Sequence, residues 1–330
     1  MFGAGTMGTA VAMHLARLGH QTTLWASTFD AAVLPSLRDE RRHPALPEHL
    51  PESLRVLGPD ELGQAAQGSD VVVMGAHSGG ARTLAKIVME GCGSLPLVVA
   101  VAKGLEQHTG KRMSEVYSEE VGHGRVVSVG GPCLAPELAQ GLPTAAVFAS
   151  NPLSAADHAA GVFRSPSFHV VITDDVPGTE YSAVLKNVAA MGVGILDGLG
   201  RGTAFEYQNA KAAVFTQAVR EIAELVVALG GRADTVWGLA GLGDILVTSL
   251  GGRNRLFGEL VGEGLEPKTA LADLTARGMT VEGWDAAGFL ADLMDGTGLE
   301  PSFLSQMRRI LFEGAQAVSI LECLDWEERS

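Results

Sequence analysis

Gly3-Ala4-Gly5-Thr6-Met7-Gly8 opens the chain, and its reading decides the fold. The spacing is G-x-G-x-x-G, and it runs straight into residues 9–18, a segment with helical composition. In such a turn the first glycine permits the tight bend and the second lets a pyrophosphate approach the backbone. The third lets helix and sheet pack closely. The helix N-terminus beyond it offers unpaired N–H groups to phosphate charge. Alone the motif is weak. Here Gly19-His20 and an expected strand at 21–26 follow it, which completes most of a βαβ unit. Gly3, Gly5, Thr6, Met7 and Gly8 are therefore candidate dinucleotide-binding residues, the alternative being a glycine turn of structural value only. Only Met1 and Phe2 precede Gly3, so the first strand, which would be central, is expected to be truncated: either the true start lies upstream or most of that strand is lost.

Outward from this motif, short β-branched runs alternate with amphipathic segments, the pattern of a doubly wound sheet. Strands are expected at 21–26, 54–57, 70–76, 97–102, 125–130, 144–149 and 168–173, with helices such as 79–90 and 154–163 between them. The strands are nearly unbroken apolar runs, as helices on both faces require. After about Asp175 no further strand is found. Residues 178–199 carry Val184, Val188, Met191 and Ile195 along one stripe, and 205–229 carry Val214, Ala218, Ile222 and Val226. Further helices are expected at 253–261, 267–276, 282–294 and 302–312. The reading is α/β: a Rossmann-type, doubly wound, mostly parallel sheet at 1–174, then an all-helical substrate-binding and catalytic domain at 175–330.

Bulk properties narrow the function classes. A chain of 330 residues with 46% apolar side chains fills more than one core. The formal charge of −14 argues against nucleic acid, which needs a clustered basic surface. Three scattered cysteines, Cys92, Cys133 and Cys323, fit neither a disulfide framework nor a metal site, and so indicate a reducing compartment. No signal peptide is visible, and the apolar run at 97–102 is far too short to span a bilayer. A cytoplasmic protein without membrane insertion and without a metal is expected.

At the end of the second strand stand Trp25-Ala26-Ser27-Thr28, with no acid until Asp30. An acid there would hold a ribose 2′-OH and select NAD. Small hydroxyl residues leave room for a 2′-phosphate instead, so Trp25 and Ser27 are cofactor candidates, and of NAD and NADP the latter is slightly favoured.

Three segments carry groups suited to carbonyl chemistry. Lys103 follows a strand within Val101–Glu106, at the sheet edge where open α/β folds bind ligands; a solvated lysine is the plain alternative. Lys186 and Asn187 sit mid-helix among apolar residues, with Gly192 and Gly194 permitting close approach. Desolvation there would make Lys186 a usable acid–base group, against a lysine that snorkels to water. Asp244 and Thr248 share a helix face and Asp244 could orient a lysine, unless it is an N-cap. Gly251-Gly252 before Arg253 and Asn254 suits a helix N-terminus that receives phosphate. His77 lies among glycines at a strand end, where a place in a cofactor loop suits it better than general-base work.

These segments together resemble the NAD(P)-dependent glycerol-3-phosphate dehydrogenase family over nearly the full chain. The matching stretches are GAGTMGTAVA at 3–12, AKGLE at 102–106, GGPCLAPELAQGLPTAAVFAS at 130–150, EYSAVLKNVAAMGVGILDGL at 180–199, QNAKAAV at 208–214, GLAGLGDILVTSLGGRNR at 238–255 and VEG at 281–283. The resemblance implies a reversible hydride transfer between NAD(P)H and dihydroxyacetone phosphate, giving sn-glycerol 3-phosphate for phospholipid synthesis, by a homodimer. It implies Lys186 as the catalytic lysine, Asp244 as its orienting partner and Lys103 as an assisting group at substrate and cofactor. Asn187, Thr248, Arg253 and Asn254 would hold substrate, Arg253 also facing the cofactor. Gly131 and Ala135 would line the space between substrate and cofactor, and Glu282 would contact the cofactor. Departures from the family pattern are Ala76-His77-Ser78 for Val-Pro-Ser, Cys133-Leu134, Gln217 for a frequent arginine, and Gly252 for a common serine. The alternatives are a dehydrogenase of another small 2-oxo or 2-hydroxy substrate and a non-catalytic NAD(P)-binding regulator.

Overall fold

The computed structural model describes residues 1–201 and 203–324. It divides into two compact units, Met1–Glu180 and Tyr181–Ser330.

The first unit is built on β1 (Thr23–Trp25), β2 (Arg55–Leu57), β3 (Val71–Met74), β4 (Leu97–Ala100), β5 (Val126–Gly130), β6 (Thr144–Ala149) and β7 (Phe168–Thr173). Each falls within an expected strand, most of them shorter by one or two residues at an end. Pairing is parallel except between β5 and β6. The order is β2-β1, then β3-β4-β5-β6-β7. Phe2 joins the two sets through parallel bridges to Trp25 and Met74. Its main chain is used on both sides: Phe2 N–H donates to Val73 O at 2.8 Å and Gly75 N–H to Phe2 O at 2.8 Å. Toward β1, Trp25 N–H donates to Met1 O at 2.8 Å and Gly3 N–H to Trp25 O at 3.0 Å. Met1 to Gly3 thus occupy the central place that the sequence assigns to a first strand.

Alternation along the strands explains the apolar runs. Val72, Met74, Val98 and Ala100 face one buried layer with Phe2, Leu84 and Tyr117, while Val73, Leu97 and Val99 face the other with Val11, Leu15 and Phe163. Both faces are covered, so period-2 polarity is absent. The helices Thr6–Arg17, Ala81–Cys92, Met113–Val121 and Leu153–Phe163 supply these layers. Met113–Val121, not named among the expected helices, carries Met113, Val116, Tyr117 and Val121 at i, i+3, i+4 and i+8 and buries all four.

The second unit has no strand among its described residues. Val176–Gly200 and Gln208–Ala228 are its longest helices, and their expected stripes are inside: Val184, Val188, Met191, Ile195, Val214, Ala218, Ile222 and Val226 are all at most 2% exposed. Pro267–Ala276 and Ser302–Phe312 match the expected spans. The expected helix at 282–294 is broken into Glu282–Gly288 and Leu290–Met294, with the interruption at Phe289 just after the flexible Gly288. Val176–Gly200 is long and apolar enough to cross a bilayer, but 78% of its apolar 18-residue window is buried inside the protein, as in a core helix.

Charge also ties the first unit together. Arg82 donates to both oxygens of Glu106, at 2.6 and 2.9 Å, and also pairs with Glu119 and Glu120. The Arg82 hydrogen bonds hold the Glu106 carboxyl down to about 2. A carboxylate with a depressed folded pKa stabilises fully above its unfolded value and loses that contribution as pH falls toward the folded one. The thermal midpoint of wild type should therefore exceed that of Glu106→Gln at pH 6, and the gap should close between about pH 4.5 and 2. A gap that persists at pH 2 would remove this pair from the account.

Candidate active site

In the first unit the glycine turn has a division of labour that can be tested atom by atom. Gly3 has φ +95°, and a Cβ there would lie 3.1 Å from Gly75 C. At Gly8 a Cβ would lie 2.3 Å from Gly3 O, so only glycine lets the helix Thr6–Arg17 start this close to the turn. At Gly5 nothing lies within 4 Å of that position, which leaves the turn open to a ligand. Gly5 is the N-cap, has no side chain to satisfy the first-turn N–H groups, and no acid occupies that turn. These features fit the pyrophosphate of a dinucleotide.

Beside the turn, Lys103 Nζ donates to Gly131 O at 2.8 Å, which draws together the loops after β4 and β5. Gly131 has φ +95°, and Ala135 begins the helix Ala135–Gln140. Lys103, Gly131 and Ala135 thus share the carboxyl edge of the sheet. His77 is exposed at the end of β3 and its ring lies close over Gly79 and Gly80. The Trp25 ring is 2% exposed and packs edge-on against Phe2 at 5.6 Å, which leaves its main chain to meet a cofactor. The Ser27 hydroxyl donates to Asp30 Oδ2 at 2.6 Å and accepts from Phe29 N–H, which commits it to a capping turn.

The second unit gathers the remaining residues. Lys186 is 8% exposed and donates from Nζ to Asp244 Oδ1 at 2.6 Å, with Asp244 at 1%. Gly243, not Asp244, caps the helix Asp244–Ser249, so the carboxylate is free of the N-cap role. A π-helical turn, Leu239–Gly243, precedes it, with Gly243 N–H bonded to Gly238 O at 3.1 Å. Such turns re-aim the residues that follow. Asn254 Nδ2 donates to Asn187 Oδ1 at 2.8 Å, while Gly283 N–H donates to Asn254 Oδ1 at 2.8 Å. Arg253 opens the helix Arg253–Gly262 after Gly252 (φ +95°) and pairs with Glu282 at 3.5 Å. Close helix contact makes this meeting possible: a Cβ on Gly194 would lie 2.1 Å from Arg255 O, and one on Gly258 2.1 Å from Met191 O. Thr248 stands one turn beyond Asp244 and is half-buried. Arg255 is held by Asp197 at 2.8 Å and by Leu250 O, so it belongs to the scaffold.

Two polar anchors escaped the sequence reading. Glu180, deep in the first unit, accepts from Ser114 N–H at 2.8 Å, Ser114 Oγ at 2.5 Å and Ser128 Oγ at 2.9 Å. Burial pushes its carboxyl upward against those donors and Arg112. A lone acid in an apolar helix was the available signal. Glu221, in the other unit, caps Ser302–Phe312 through Phe303 and Leu304 N–H, and Gln217 donates to it at 2.7 Å.

With this geometry in hand, the comparisons agree with one another. The sequence models for the N-terminus and C-terminus of NAD-dependent glycerol-3-phosphate dehydrogenase match residues 1–156 and 175–322. The chain is 38% identical to a Thermoanaerobacter glycerol-3-phosphate dehydrogenase of NAD(P)+ type, covering 95% of this chain and 92% of that protein. It is 31% identical to the NADP+-dependent glycerol-3-phosphate dehydrogenase of Archaeoglobus fulgidus, over 97% of each. The crystal structure of the Coxiella burnetii glycerol-3-phosphate dehydrogenase superposes with a TM-score of 0.85 at 30% identity, covering 98% of both chains.

The buried pair makes its own prediction. Removing one partner strands the other charge, at about 3–5 kcal/mol, whereas replacing both by apolar residues is often neutral. Asp244→Leu should lose stability on that scale in urea unfolding, and Lys186→Met/Asp244→Leu should recover most of it. A double variant no more stable than the single one would contradict a desolvated ion pair.

Proposed function

The chain belongs to the NAD-dependent glycerol-3-phosphate dehydrogenase family, and from that premise we propose how its residues divide the reversible, NAD(P)-dependent conversion of dihydroxyacetone phosphate to sn-glycerol 3-phosphate. When bound, NAD(P)H supplies the hydride that reduces C2 of the substrate. The glycine turn Gly3–Gly8 and the helix N-terminus behind it hold the cofactor's pyrophosphate, with Lys103, Ala135, Ser27 and the main chain of Trp25 along the same edge.

Reduction turns the carbonyl oxygen into an alkoxide, which needs a proton. Lys186 is the catalytic residue that gives it. Its support is the 2.6 Å bond to Asp244, which holds a buried amine aimed and hydrogen-bonded. Asp244 is the positioning residue. In the oxidative direction the neutral amine takes the hydroxyl proton back, and Asp244 stabilises the ammonium that results. Asn187 and Asn254, already bonded to one another, present amide groups to the substrate's hydroxyls. Arg253, at a helix N-terminus without an acidic first turn, takes the phosphate together with Thr248. Glu282 is paired with Arg253 at 3.5 Å, and the family resemblance gives both a cofactor contact. Lys103 and Gly131 assist at the substrate.

Arg253 at a helix N-terminus with no acid in its first turn favours a phosphorylated substrate over an unphosphorylated 2-oxo acid, and a buried proton donor favours this reading over a regulator that only binds dinucleotide. We place the enzyme in the cytoplasm as a homodimer supplying glycerol phosphate to lipid synthesis; three cysteines scattered through the sequence in no disulfide-framework spacing suit a reducing compartment.

Lys186→Ala should lower dihydroxyacetone-phosphate-dependent NAD(P)H oxidation by about 10²–10⁴-fold, the usual worth of a positioned acid. Cofactor affinity, measured separately by fluorescence titration, should not move. Turnover within a few fold of wild type in the folded variant would take Lys186 out of this role.

A further inference from the structure

Leu250 closes the helix Asp244–Ser249, Arg253 opens the next one, and only Gly251-Gly252 lie between them. At neither glycine would a Cβ meet a described atom within 4 Å, and Gly252 has φ +95°. Glycine has the widest backbone freedom of any residue, so packing at these two positions does not set the path of the turn.

A guanidinium spans it instead. Arg255, just past the turn, donates from Nη1 to Leu250 O, just before it, at 2.8 Å. Its Nε donates to Asp197 Oδ2 at 2.8 Å and lies 3.3 Å from Glu259 Oε1. The other Asp197 oxygen accepts from Lys211 Nζ at 2.8 Å. Asp197 thus holds Arg255 by a charge-assisted bond, and the planar fork carries that hold across the glycines. Asp197 and Lys186 belong to one helix, Val176–Gly200. Their spacing is about three turns, so they leave nearly the same face about 16 Å apart along the axis. One helix therefore sets both the proton donor and the turn that carries Arg253 and Asn254.

We propose that Asp197 is a positioning residue for the substrate's phosphate: through Arg255 it closes the Gly251-Gly252 turn and fixes Arg253 and Asn254 before substrate arrives. The inference rests on the reading of Arg253 and its helix N-terminus as the phosphate site. Without the clamp the turn samples more conformations, and substrate affinity falls by the fraction that remains competent. Lys186 and Asp244 keep their own 2.6 Å bond, so the loss falls on the phosphate and spares proton transfer.

The test is steady-state NAD(P)H oxidation by the full chain, with dihydroxyacetone phosphate and with dihydroxyacetone as the unphosphorylated probe. Arg255→Gln removes the fork and should raise KM for dihydroxyacetone phosphate about tenfold with kcat within about threefold, the mark of lost uniform binding. Its kcat/KM on dihydroxyacetone should stay within about threefold of wild type, so the preference for the phosphorylated substrate shrinks. Asp197→Asn, near-isosteric and uncharged, should move both readings the same way by about threefold, and it carries the test if Arg255→Gln does not fold. The double variant should match Arg255→Gln alone, because both changes act through one bond. Arg201→Gln breaks the neighbouring pairs to Glu259 and Glu263 and should change neither KM nor preference.

A merely structural clamp would lower activity on both substrates alike, in step with the thermal midpoint. That result, an unchanged KM in the folded variants, multiplied losses in the double variant, or an equal effect of Arg201→Gln would each overturn the proposal. Arg253→Gln separates it from the reading beneath. If KM rises in Arg253→Gln but not in Asp197→Asn or Arg255→Gln, the clamp alone is lost. If Arg253→Gln leaves KM unmoved, or wild type does not reduce dihydroxyacetone phosphate, the phosphate site is lost and the clamp with it.

Discussion

An ammonium taken out of water costs several kcal/mol even after the protein relaxes, so Lys186 can stay in the apolar Val176–Gly200 helix only with a carboxylate against it. That requirement organises the second unit. Asp244 must arrive from another helix at 2.6 Å, and the chain delivers it through the π-helical turn Leu239–Gly243. A Cβ on Gly241 would lie 2.1 Å from Val236 O, so that turn could not close with a larger residue. The Arg253–Gly262 helix must also come within glycine distance of Val176–Gly200, which brings Asn254 to Asn187. A pair that adds little net stability dictates the glycine spacing around it.

The first unit is governed by a different constraint, the closeness of a loop to the helix that follows it. Gly3 and Gly8 approach until a methyl group on Gly8 would overlap a carbonyl, and this leaves the first-turn N–H groups facing outward at Gly5. The same short stretch carries the sheet across its centre through Phe2, whose N–H and carbonyl are both used. Cofactor turn and sheet continuity therefore rest on the same few residues. A substitution that loosens the turn would disturb the β1 and β3 ladders with it.

What the sequence made legible follows from the range of the physics involved. Strands buried on both faces appear as apolar runs, and long helices as stripes, because each pattern lies within one element; hence all seven strands and the Val214–Val226 stripe were readable. The chemistry of Lys186 and Asp244 was readable as residue types in apolar settings, but the 58 positions between them hide the contact itself. The helix Met113–Val121 was legible in the same way, its apolar residues standing at i, i+3, i+4 and i+8. Glu180 and Glu221 escaped because each caps a helix remote in sequence, which no local pattern encodes. The burial of the Trp25 ring was not legible, since a strand-end residue that contacts a ligand is spelled the same as one that completes the core.

Ser27 and Asp30 show why even a local motif can be misread. A serine at a strand end is an open hydroxyl only if nothing nearby takes it, and an acid three residues on is well placed to do so, since the capping-box geometry closes over that interval. Here both Ser27 donors go to one oxygen of Asp30. The box that starts the turn Thr28–Asp30 thus uses up the hydroxyl that the sequence shows as open. Removing Asp30 would release that hydroxyl and loosen the chain's exit from β1 in the same step.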